Sequence, residues 1–276
     1  LARLRQVNPG AQILALSATV KNAEEAAEWL GAGHVTTDWR PVTLREGVLL
    51  QDEAHFKDGS ALKVEERATK DPAVNLALHV IRRGGQALVF AGTRANSVSL
   101  AKRFAASLKP LITRSMGRAL ERVSESILAA GERTRISEQL ADLVRRGAAF
   151  HHAGLAGAHR GLIEEAFREG KIKVLAATPT LAFGVNLPAR LVVIHDYRRY
   201  EPGYGYYPIT VLEYKQMAGR AGRPRYDRVG EALLVAKTEE ERDYLMEGYV
   251  LSEPERIWSK LGVERILRSH VLATVA

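Results

Sequence analysis

Residues 174–188 read VLAATPTLAFGVNLP. The stretch begins with four apolar residues, Val174–Ala177, which are typical of a short buried strand. Hydroxyl, glycine and amide residues follow the strand: Thr178, Thr180, Gly184 and Asn186. Hydroxyl groups and open backbone at the end of a buried strand offer hydrogen-bond donors to phosphate oxygens. The stretch therefore predicts a strand that leads into a phosphate-binding loop.

Short apolar strands alternate with amphipathic helices on both sides of this stretch. Further apolar segments occur at residues 13–16, 87–90, 191–194 and 233–236. Between them, Asp71-Pro72 is typical of the start of a helix, and Asn22 with Glu25 has the spacing of a capping box. Strands that alternate with helices predict an α/β fold, with a doubly wound parallel sheet covered by helices on both faces.

Composition limits the classes of function. The net charge is +8 over 276 residues, which favours an acidic partner such as nucleic acid over an ordinary basic enzyme. Residues 102–146 contain ten basic and five acidic residues, typical of either a solvated helical face or one that faces nucleic acid. There are no cysteines, which excludes disulfides, thiolate catalysis and cysteine-bound zinc.

Nothing in the sequence predicts export or membrane insertion. No run approaches the roughly 18 apolar residues of a membrane span, and the first residues have no signal-peptide pattern. We therefore expect a cytoplasmic protein. The first residue is leucine, and we expect that the sequence is cut from within a longer protein.

Two further motifs follow predicted strands. Thr93-Arg94 places a hydroxyl and a guanidinium at the carboxyl end of a strand, where phosphates bind in doubly wound sheets. As an alternative, Thr93 caps the helix that follows. His151 and His152 are adjacent on a strand and point to opposite faces, so they cannot bind one metal together. A histidine in the core or at a helix cap is the alternative for this pair.

Residues 216–223 read QMAGRAGR and predict an anion-binding surface. Arg220 and Arg223 are three residues apart and share a helical face, where a pair of surface arginines is the alternative. The two glycines in this segment each cost about 1 kcal/mol against alanine in a helix. That cost suggests a functional reason, such as the close approach of a polyphosphate. Ser17-Ala18-Thr19, at the end of the first predicted strand, is uninformative alone.

The order of these motifs resembles that of superfamily 2 helicases of the Ski-like group. Ser-Ala-Thr, Phe-Ala-Gly-Thr-Arg, His-His-Ala-Gly-Leu, the stretch at 177–189 and Gln-Met-Ala-Gly-Arg-Ala-Gly-Arg-Pro correspond to their motifs III, IV, IVa, V and VI. The sequence is most similar to the archaeal repair helicases of replication forks, relatives of the helicase half of polymerase theta. This resemblance implies a RecA-like fold.

The resemblance also implies a division into domains. Residues 1–40 would be the end of a first RecA-like domain and a link, because WRPV at 39–42 resembles the family's link. Residues 41–252 would be the second RecA-like domain. Residues 253–276 would begin a winged-helix domain, with short helices around Trp258 and over 264–273.

The resemblance implies an ATP-dependent 3′–5′ DNA helicase of replication forks and repair, with ATP and Mg²⁺ as cofactors of the full-length protein. The implied arginine fingers are Arg220 and Arg223. The implied nucleotide-binding residues are Gly184, Asn186 and Gln216. The implied coupling residues are Ser17 and Thr19. The implied DNA-binding residues are Thr93, Arg94, His152, Thr178 and Thr180. The implied partners are single-stranded and forked DNA and the first RecA-like domain.

No Gly-Lys-Ser or Gly-Lys-Thr phosphate loop occurs in the 276 residues. Asp52-Glu53-Ala54-His55 spells the acidic helicase motif, but it follows Ser-Ala-Thr, whereas the family's acidic motif precedes it. We therefore interpret it as a solvated surface loop and predict no metal-binding residue. We also expect no tightly bound nucleotide and no ATP hydrolysis by this chain alone.

Residues 197–209, between motifs V and VI, read YRRYEPGYGYYPI and contain five tyrosines and two glycines. The family carries a strand-separating hairpin at this place, so Tyr204, Tyr206 and Tyr207 are predicted to separate strands. Aromatic rings stack on bases without sequence preference, by about 1–3 kcal/mol per base. A hairpin that packs on its own domain is the alternative. An RNA helicase of the same group and a non-catalytic nucleic-acid-binding module also remain open for the whole chain.

Overall fold

A sheet of eight strands lies at the centre of the larger of two units in the computed structural model. This unit comprises Trp39–Ser252, and the other comprises residues 1–38 with 253–276. The structure describes residues 7–8, 10–17, 20–37, 39–183, 185–201, 203, 205–259 and 262–275.

The strands of the large sheet are β1 (Thr43–Leu50), β2 (Glu53–Phe56), β3 (Ala61–Lys63), β4 (Ala87–Phe90), β5 (Ala148–His151), β6 (Val174–Ala177), β7 (Leu191–Ile194) and β10 (Val229–Ala236). A separate two-stranded sheet consists of β8 (Arg198–Glu201) and β9 (Gly205–Pro208). The order across the large sheet is β3-β2-β1-β10-β7-β4-β6-β5. The pairs β1–β2 and β2–β3 are antiparallel, and the other neighbouring pairs are parallel.

The helices are α1 (Ala23–Leu30), α2 (Pro72–Arg82), α3 (Arg94–Leu108), α4 (Arg114–Ala129), α5 (Arg135–Arg145), α6 (Gly157–Arg168), α7 (Val211–Ala218), α8 (Glu239–Leu245) and α9 (Glu264–Val275). Short 3₁₀ turns occupy Lys109–Leu111 and Pro179–Phe183, and a π-helical turn occupies Met246–Val250. Helices cover both faces of the mostly parallel sheet, which confirms the predicted RecA-like α/β fold.

The central strands are apolar along their whole length because helices cover both of their faces. Every residue of β4, β5, β6 and β7 is buried. Such strands appear in a sequence as continuous apolar runs, which is why most of them were predictable. The helix starts also follow the sequence. Asp71 accepts a hydrogen bond from the Ala73 amide at 3.0 Å, and Pro72 occupies the first turn of α2.

The smaller unit departs from the predictions. Residues 13–16 form no strand, and Leu14 and Leu16 are exposed. A strand needs a neighbour to pair its backbone, and the structure pairs these residues with none of those it describes. Asn22 precedes α1 without capping it, because its side chain bonds to Glu25 and to the backbone of Ile257 instead.

Two more predicted segments are different in the structure. Residues 253–259 have no helix around Trp258, whereas α9 is present. Asp52-Glu53-Ala54-His55 is a turn followed by β2 rather than a loop, and Ala54 is fully buried. Asp52 is paired with Arg67 at 3.1 Å. The alternation of polar Glu53 and His55 with buried neighbours is the period-2 pattern of a strand with one solvated face.

Candidate functional site

The carboxyl ends of three neighbouring strands bring the predicted strand-contacting residues together. Phe90, Ala177 and His151 end β4, β6 and β5, and they lie side by side in the sheet register. The residues that follow these ends are therefore adjacent. We call residues 91–94, 152–154 and 178–180 the carboxyl edge. It contains Thr93, Arg94, His152, Thr178 and Thr180, all five of the predicted DNA-binding residues.

Two of the carboxyl-edge groups are exposed and free to approach a phosphate. Arg94 is exposed at the first position of α3, and Thr180 is exposed at the start of the turn after β6. Thr178 is buried and its hydroxyl lies 2.9 Å from that of Thr180. Thr93 caps α3, because its hydroxyl accepts a hydrogen bond from the Asn96 amide at 3.1 Å. Thr93 therefore caps the helix, which was the alternative interpretation of this residue. Its hydroxyl can still donate a hydrogen bond.

His152 is a supporting residue in this structure. It is only 4% exposed, it stacks on Phe150 with ring centroids 5.4 Å apart, and its Nδ1 accepts a hydrogen bond from the Gly154 amide at 3.1 Å. Burial lowers its pKa, and the nearby charge of Arg94 lowers it further. A neutral, buried ring holds the turn beside Arg94 more readily than it attracts a phosphate. His151 bonds Glu164 at 2.8 Å instead; it is the last residue of β5, so His152 follows the strand rather than lying on it as predicted.

The opposite edge of the sheet contains the second group of predicted residues. The Ala189 amide donates to the carbonyl of Arg220 at 3.0 Å, and the Gly222 amide donates to the carbonyl of Ala189 at 2.6 Å. These bonds hold residues 219–223 beside the start of β7. We call these residues, together with Asn186, the amino edge.

Two glycines allow the amino edge to lie this close to the sheet. Gly222 has a φ of +93°, which favours glycine. A Cβ atom on Gly230, in β10, would lie 2.3 Å from the backbone nitrogen of Gly222. The two residues thus stand back to back with no room for a side chain on Gly230.

Arg220 reaches from the amino edge to the segment after β6. Its guanidinium donates to the Asn186 side chain at 3.4 Å and to the backbone carbonyl of Ala182. Burial lowers the pKa of Arg220. The ordinary pKa of arginine is so high that the group nevertheless stays charged. Both partners are neutral oxygens, so the charge of Arg220 is not neutralised by a carboxylate in these bonds.

Arg223 has different surroundings. Its Nε and one terminal nitrogen donate to the Asp227 carboxylate at 2.8 and 2.9 Å, and its other terminal nitrogen donates to Gln86 at 2.9 Å. Its side chain is 17% exposed. The donors of Arg223 are therefore directed into its own domain, and Asp227 and Gln86 hold it there.

Arg40 is a residue of the site that the motifs did not reveal. Its guanidinium donates to the carbonyls of Ala221 at 2.6 Å and Gly219 at 3.2 Å, the two residues that flank Arg220. Burial lowers its pKa. Arg40 belongs to the WRPV segment, and nothing in that segment indicates a partner about 180 residues away.

The remaining predicted residues are less informative. Gln216 lies on α7, and its amide oxygen is buried without a hydrogen-bond partner among the described residues. Ser17 is exposed in the smaller unit. Thr19, Gly184 and Tyr204 lie outside the described residues.

The tyrosine-rich segment forms the expected hairpin from β8 and β9. Tyr200 pairs with Tyr206, their ring centroids lie 5.3 Å apart, and they are 53% and 66% exposed. Tyr207 pairs with Arg199 instead, and its hydroxyl accepts a hydrogen bond from the Arg199 Nε. The exposed aromatic pair is therefore Tyr200 and Tyr206, and Tyr200 was missed because the register of the hairpin cannot be read from the sequence.

Two kinds of feature are absent from the described part of the chain. No cluster of three or more histidine, aspartate or glutamate side chains there could hold a metal ion. No helix there is both long and apolar enough to cross a bilayer.

Comparison with known proteins identifies close relatives. Residues 107–225 match the family described as helicase conserved C-terminal domain. Proteins named ATP-dependent DNA helicase Hel308 match the whole chain. The relative from Methanocella arvoryzae is 48% identical over 276 residues, which is 100% of this chain and 37% of the relative. The relative from Pyrobaculum calidifontis is 48% identical over 275 residues, 100% of this chain and 38% of its own length. The relative from Caldivirga maquilingensis is 42% identical over 278 residues, 100% of this chain and 36% of its own length.

Proposed function

The chain is a homologue of the Hel308 ATP-dependent DNA helicases along its whole length and contains a helicase C-terminal domain, and we propose that it is the second motor domain of a 3′–5′ DNA helicase. It spans little more than a third of the length of those relatives. We propose further that a first RecA-like domain of the same protein holds ATP and Mg²⁺ against the amino edge. The term full-length helicase below denotes this chain joined to that domain.

One observation carries this proposal. The segment after β6 starts at Thr178 on the carboxyl edge and continues to Asn186, which bonds Arg220 on the amino edge. One short piece of chain thus connects the surface proposed to contact DNA with the surface proposed to contact nucleotide. A displacement of Arg220 on ATP binding or hydrolysis would be transmitted along this segment to Thr180 and the backbone near it. Ser17 and Thr19 are proposed to take part in the same coupling.

At the amino edge, Arg220 is proposed as the arginine finger. A cation placed against the transferring phosphoryl group stabilises its transition state, and such residues contribute about 10³- to 10⁵-fold in rate in related systems. Arg223 is proposed to assist by keeping the loop in place through Asp227, and Gly184, Asn186 and Gln216 are proposed to line the nucleotide cleft. Arg40 supports the two carbonyls that flank Arg220.

At the carboxyl edge, Thr93, Arg94 and Thr180 are proposed to contact phosphates of the tracked strand, supported by His152 and Thr178. Phosphate contacts carry no sequence information, so the domain would track any sequence. The hairpin of β8 and β9 is proposed to separate the strands of forked DNA with its exposed tyrosine pair. The proposed biological role is action at replication forks and in repair, on chromosomal DNA in the cytoplasm.

The test compares ATP hydrolysis by the chain with that by the full-length helicase. We expect no hydrolysis above background from the chain, with or without DNA, because arginine fingers act on a nucleotide that other groups must hold. The full-length helicase should hydrolyse ATP when DNA is added. Asp52→Ala and Glu53→Ala serve as controls and should leave turnover nearly unchanged, since Asp52 is paired with Arg67 beside a structural strand.

Three outcomes would contradict the proposal: turnover by the chain alone, loss of turnover in the Asp52 or Glu53 variants, or a full-length protein that hydrolyses no ATP. Unwinding of RNA duplexes in preference to DNA duplexes would instead identify an RNA helicase built on the same motor.

A further inference from the structure

The residue that leads into the hairpin is bonded to the backbone just before the strand-contacting residues Thr93 and Arg94. The Asp196 carboxylate accepts hydrogen bonds from the Gly92 amide at 3.0 Å and from the Asn96 side chain at 3.3 Å. Its other oxygen lies 3.2 Å from Nδ1 of His195. Asp196 is two residues before β8. A side chain at the root of the hairpin is therefore bonded to the β4–α3 loop.

A row of alternating charges holds Asp196 in position. The far ring nitrogen of His195 lies 3.7 Å from the Asp71 carboxylate, which also bonds Arg103 of α3 and the first turn of α2. Burial alone would lower the pKa of His195, but its bonds to Asp196 and Asp71 raise it to about 9. Burial would raise the pKa of Asp196, but His195 and the Gly92 amide lower it to about 2. Both groups are charged at neutral pH.

Gly92 also touches the hairpin directly. A Cβ atom on Gly92 would lie 2.3 Å from the backbone carbonyl oxygen of Arg198 and 3.3 Å from Cβ of Asp196. Arg198 is the first residue of β8. Only glycine lets the β4–α3 loop lie this close to the hairpin strand. The loop and the hairpin thus share a hydrogen bond, a charge network and a close backbone contact.

We propose that Asp196 is a positioning residue that fixes the hairpin to the β4–α3 loop, so that the wedge and the strand-contacting residues move together. The inference rests on the proposed function and adds a mechanical requirement to it. Each step of Thr93 and Arg94 along a strand would carry the hairpin by the same distance into the duplex. If the hairpin could slip relative to the loop, the motor would advance without separating the bases ahead of it.

The first experiment measures two activities of the full-length helicase that carries Asp196→Ala. Unwinding of a forked duplex should fall roughly tenfold, the effect of losing one charge-assisted hydrogen bond. DNA-stimulated ATP hydrolysis should stay close to that of the unaltered protein. Asp196→Asn keeps an acceptor for the Gly92 amide and should restore part of the unwinding. Asp142→Ala removes a carboxylate whose partner, Arg146, is on the surface, and this control should change neither activity.

A second experiment uses amide hydrogen exchange on the 276-residue chain and needs no activity. Asp196→Ala should speed exchange at the Gly92 amide and in β8 and β9, whereas β6 and β7 should exchange as before. Gly92→Ala, which forces the same surfaces apart by steric contact, should speed exchange in the same hairpin strands.

The outcomes separate this inference from the proposed function. Equal losses of unwinding and ATP hydrolysis in a folded Asp196→Ala protein would overturn it, as would unchanged unwinding or unchanged exchange in the hairpin. If the unaltered full-length helicase unwound no duplex, the proposed function would fail, while the exchange experiment would still decide whether Asp196 fixes the hairpin.

Discussion

Arg220 and Arg223 belong to one motif but have different hydrogen-bond partners. Arg220 bonds neutral oxygens on the segment after β6, and its charge is available to an anion. Arg223 gives its donors to Asp227 and Gln86. An arginine that already has a bidentate carboxylate partner would have to break that pair before it could meet a phosphate. We therefore assign direct charge stabilisation to Arg220 and support of the loop to Arg223.

This assignment predicts that alanine substitution of Arg220 lowers activity, whereas alanine substitution of Arg223 lowers stability. Arg220→Ala in the full-length helicase should lower the rate of DNA-stimulated ATP hydrolysis by about 10³-fold. The same substitution in the chain should leave its urea unfolding midpoint nearly unchanged. Arg223→Ala should lower the free energy of unfolding by roughly 3 kcal/mol, because it leaves the Asp227 carboxylate buried without its partner.

Arg146→Ala is the matched control, since its pair with Asp142 is solvated and should contribute less than about 1 kcal/mol. If Arg220→Ala destabilised the chain as much as Arg223→Ala, the two arginines would share a structural role.

At this scale the sequence predicted the arginines but not their partners. Both arginines lie at the amino edge, but the prediction that they share a helical face was wrong, because the helix ends at Ala218 and both residues follow it. Asp227, four residues after Arg223, is a signal that sequence inspection can use. Gln86 and Arg40 are 137 and about 180 residues away from their partners in the motif, and only the folded chain brings them there. No local pattern contains such a contact.

At the scale of elements, the two faces of the hairpin differ. One face is aromatic and exposed to solvent, and the other faces the domain. Tyr200 and Tyr206 are paired on the exposed face, whereas Arg199 and Tyr207 are paired on the other. Gly203 in the turn and Gly205 at the start of β9 have φ of +88° and +80°, which favours glycine. The glycines and tyrosines predicted the hairpin, but a register shifted by one residue would exchange its faces. The sequence therefore could not tell which tyrosines are exposed.

The role proposed for the hairpin predicts that unwinding and ATP hydrolysis can be separated by mutation. Replacing Tyr200 and Tyr206 together by alanine in the full-length helicase should reduce unwinding of a forked duplex by at least roughly tenfold, since each ring stacked on a base contributes about 1–3 kcal/mol. DNA-stimulated ATP hydrolysis should be largely retained. Tyr207→Phe, which removes only the hydroxyl bonded to Arg199, should have little effect on either activity. Parallel loss of both activities in the double variant would mean that the exposed pair is structural.

At the scale of the whole molecule, the net charge of +8 and the exposed groups of the carboxyl edge favour weak binding of single-stranded DNA. On the proposed function, a first domain would supply the rest of the track. Some of the basic side chains are paired with carboxylates on the surface, such as Arg145 with Glu121. Binding should therefore depend on a few phosphate contacts rather than on the overall charge.

We expect the chain to bind oligo(dT) and oligo(dA) with similar, weak affinity. The affinity should fall with salt by counterion release, with a slope of the logarithm of about −2 for roughly three contacted phosphates. Arg94→Ala should make that slope shallower by about 0.7. Fluorescence anisotropy over a potassium chloride series measures both quantities. A salt-independent affinity, or strong preference for one sequence, would contradict the phosphate-contact mechanism.

The central strands were more predictable from the sequence than the segments outside them. Central strands are buried on both faces, so their apolar runs stand out in the sequence. Strand β2 is half solvated, and its first three residues belong to a sequence that spells a helicase motif, so its strand character was missed. The irregular segment 253–259 has helix-compatible residues, but the structure gives it no helix.

The back-to-back contact of Gly222 and Gly230 has a consequence for mutational scanning. A library that replaced every residue and scored helicase activity would find almost no tolerated substitution at Gly230, as at a catalytic position. Yet Gly230 is a strand residue that leaves space for the backbone of residues 221 and 222. A parallel score for protein abundance would distinguish the two cases. Gly230 variants would score low in both activity and abundance, whereas Arg220 variants would score low in activity alone.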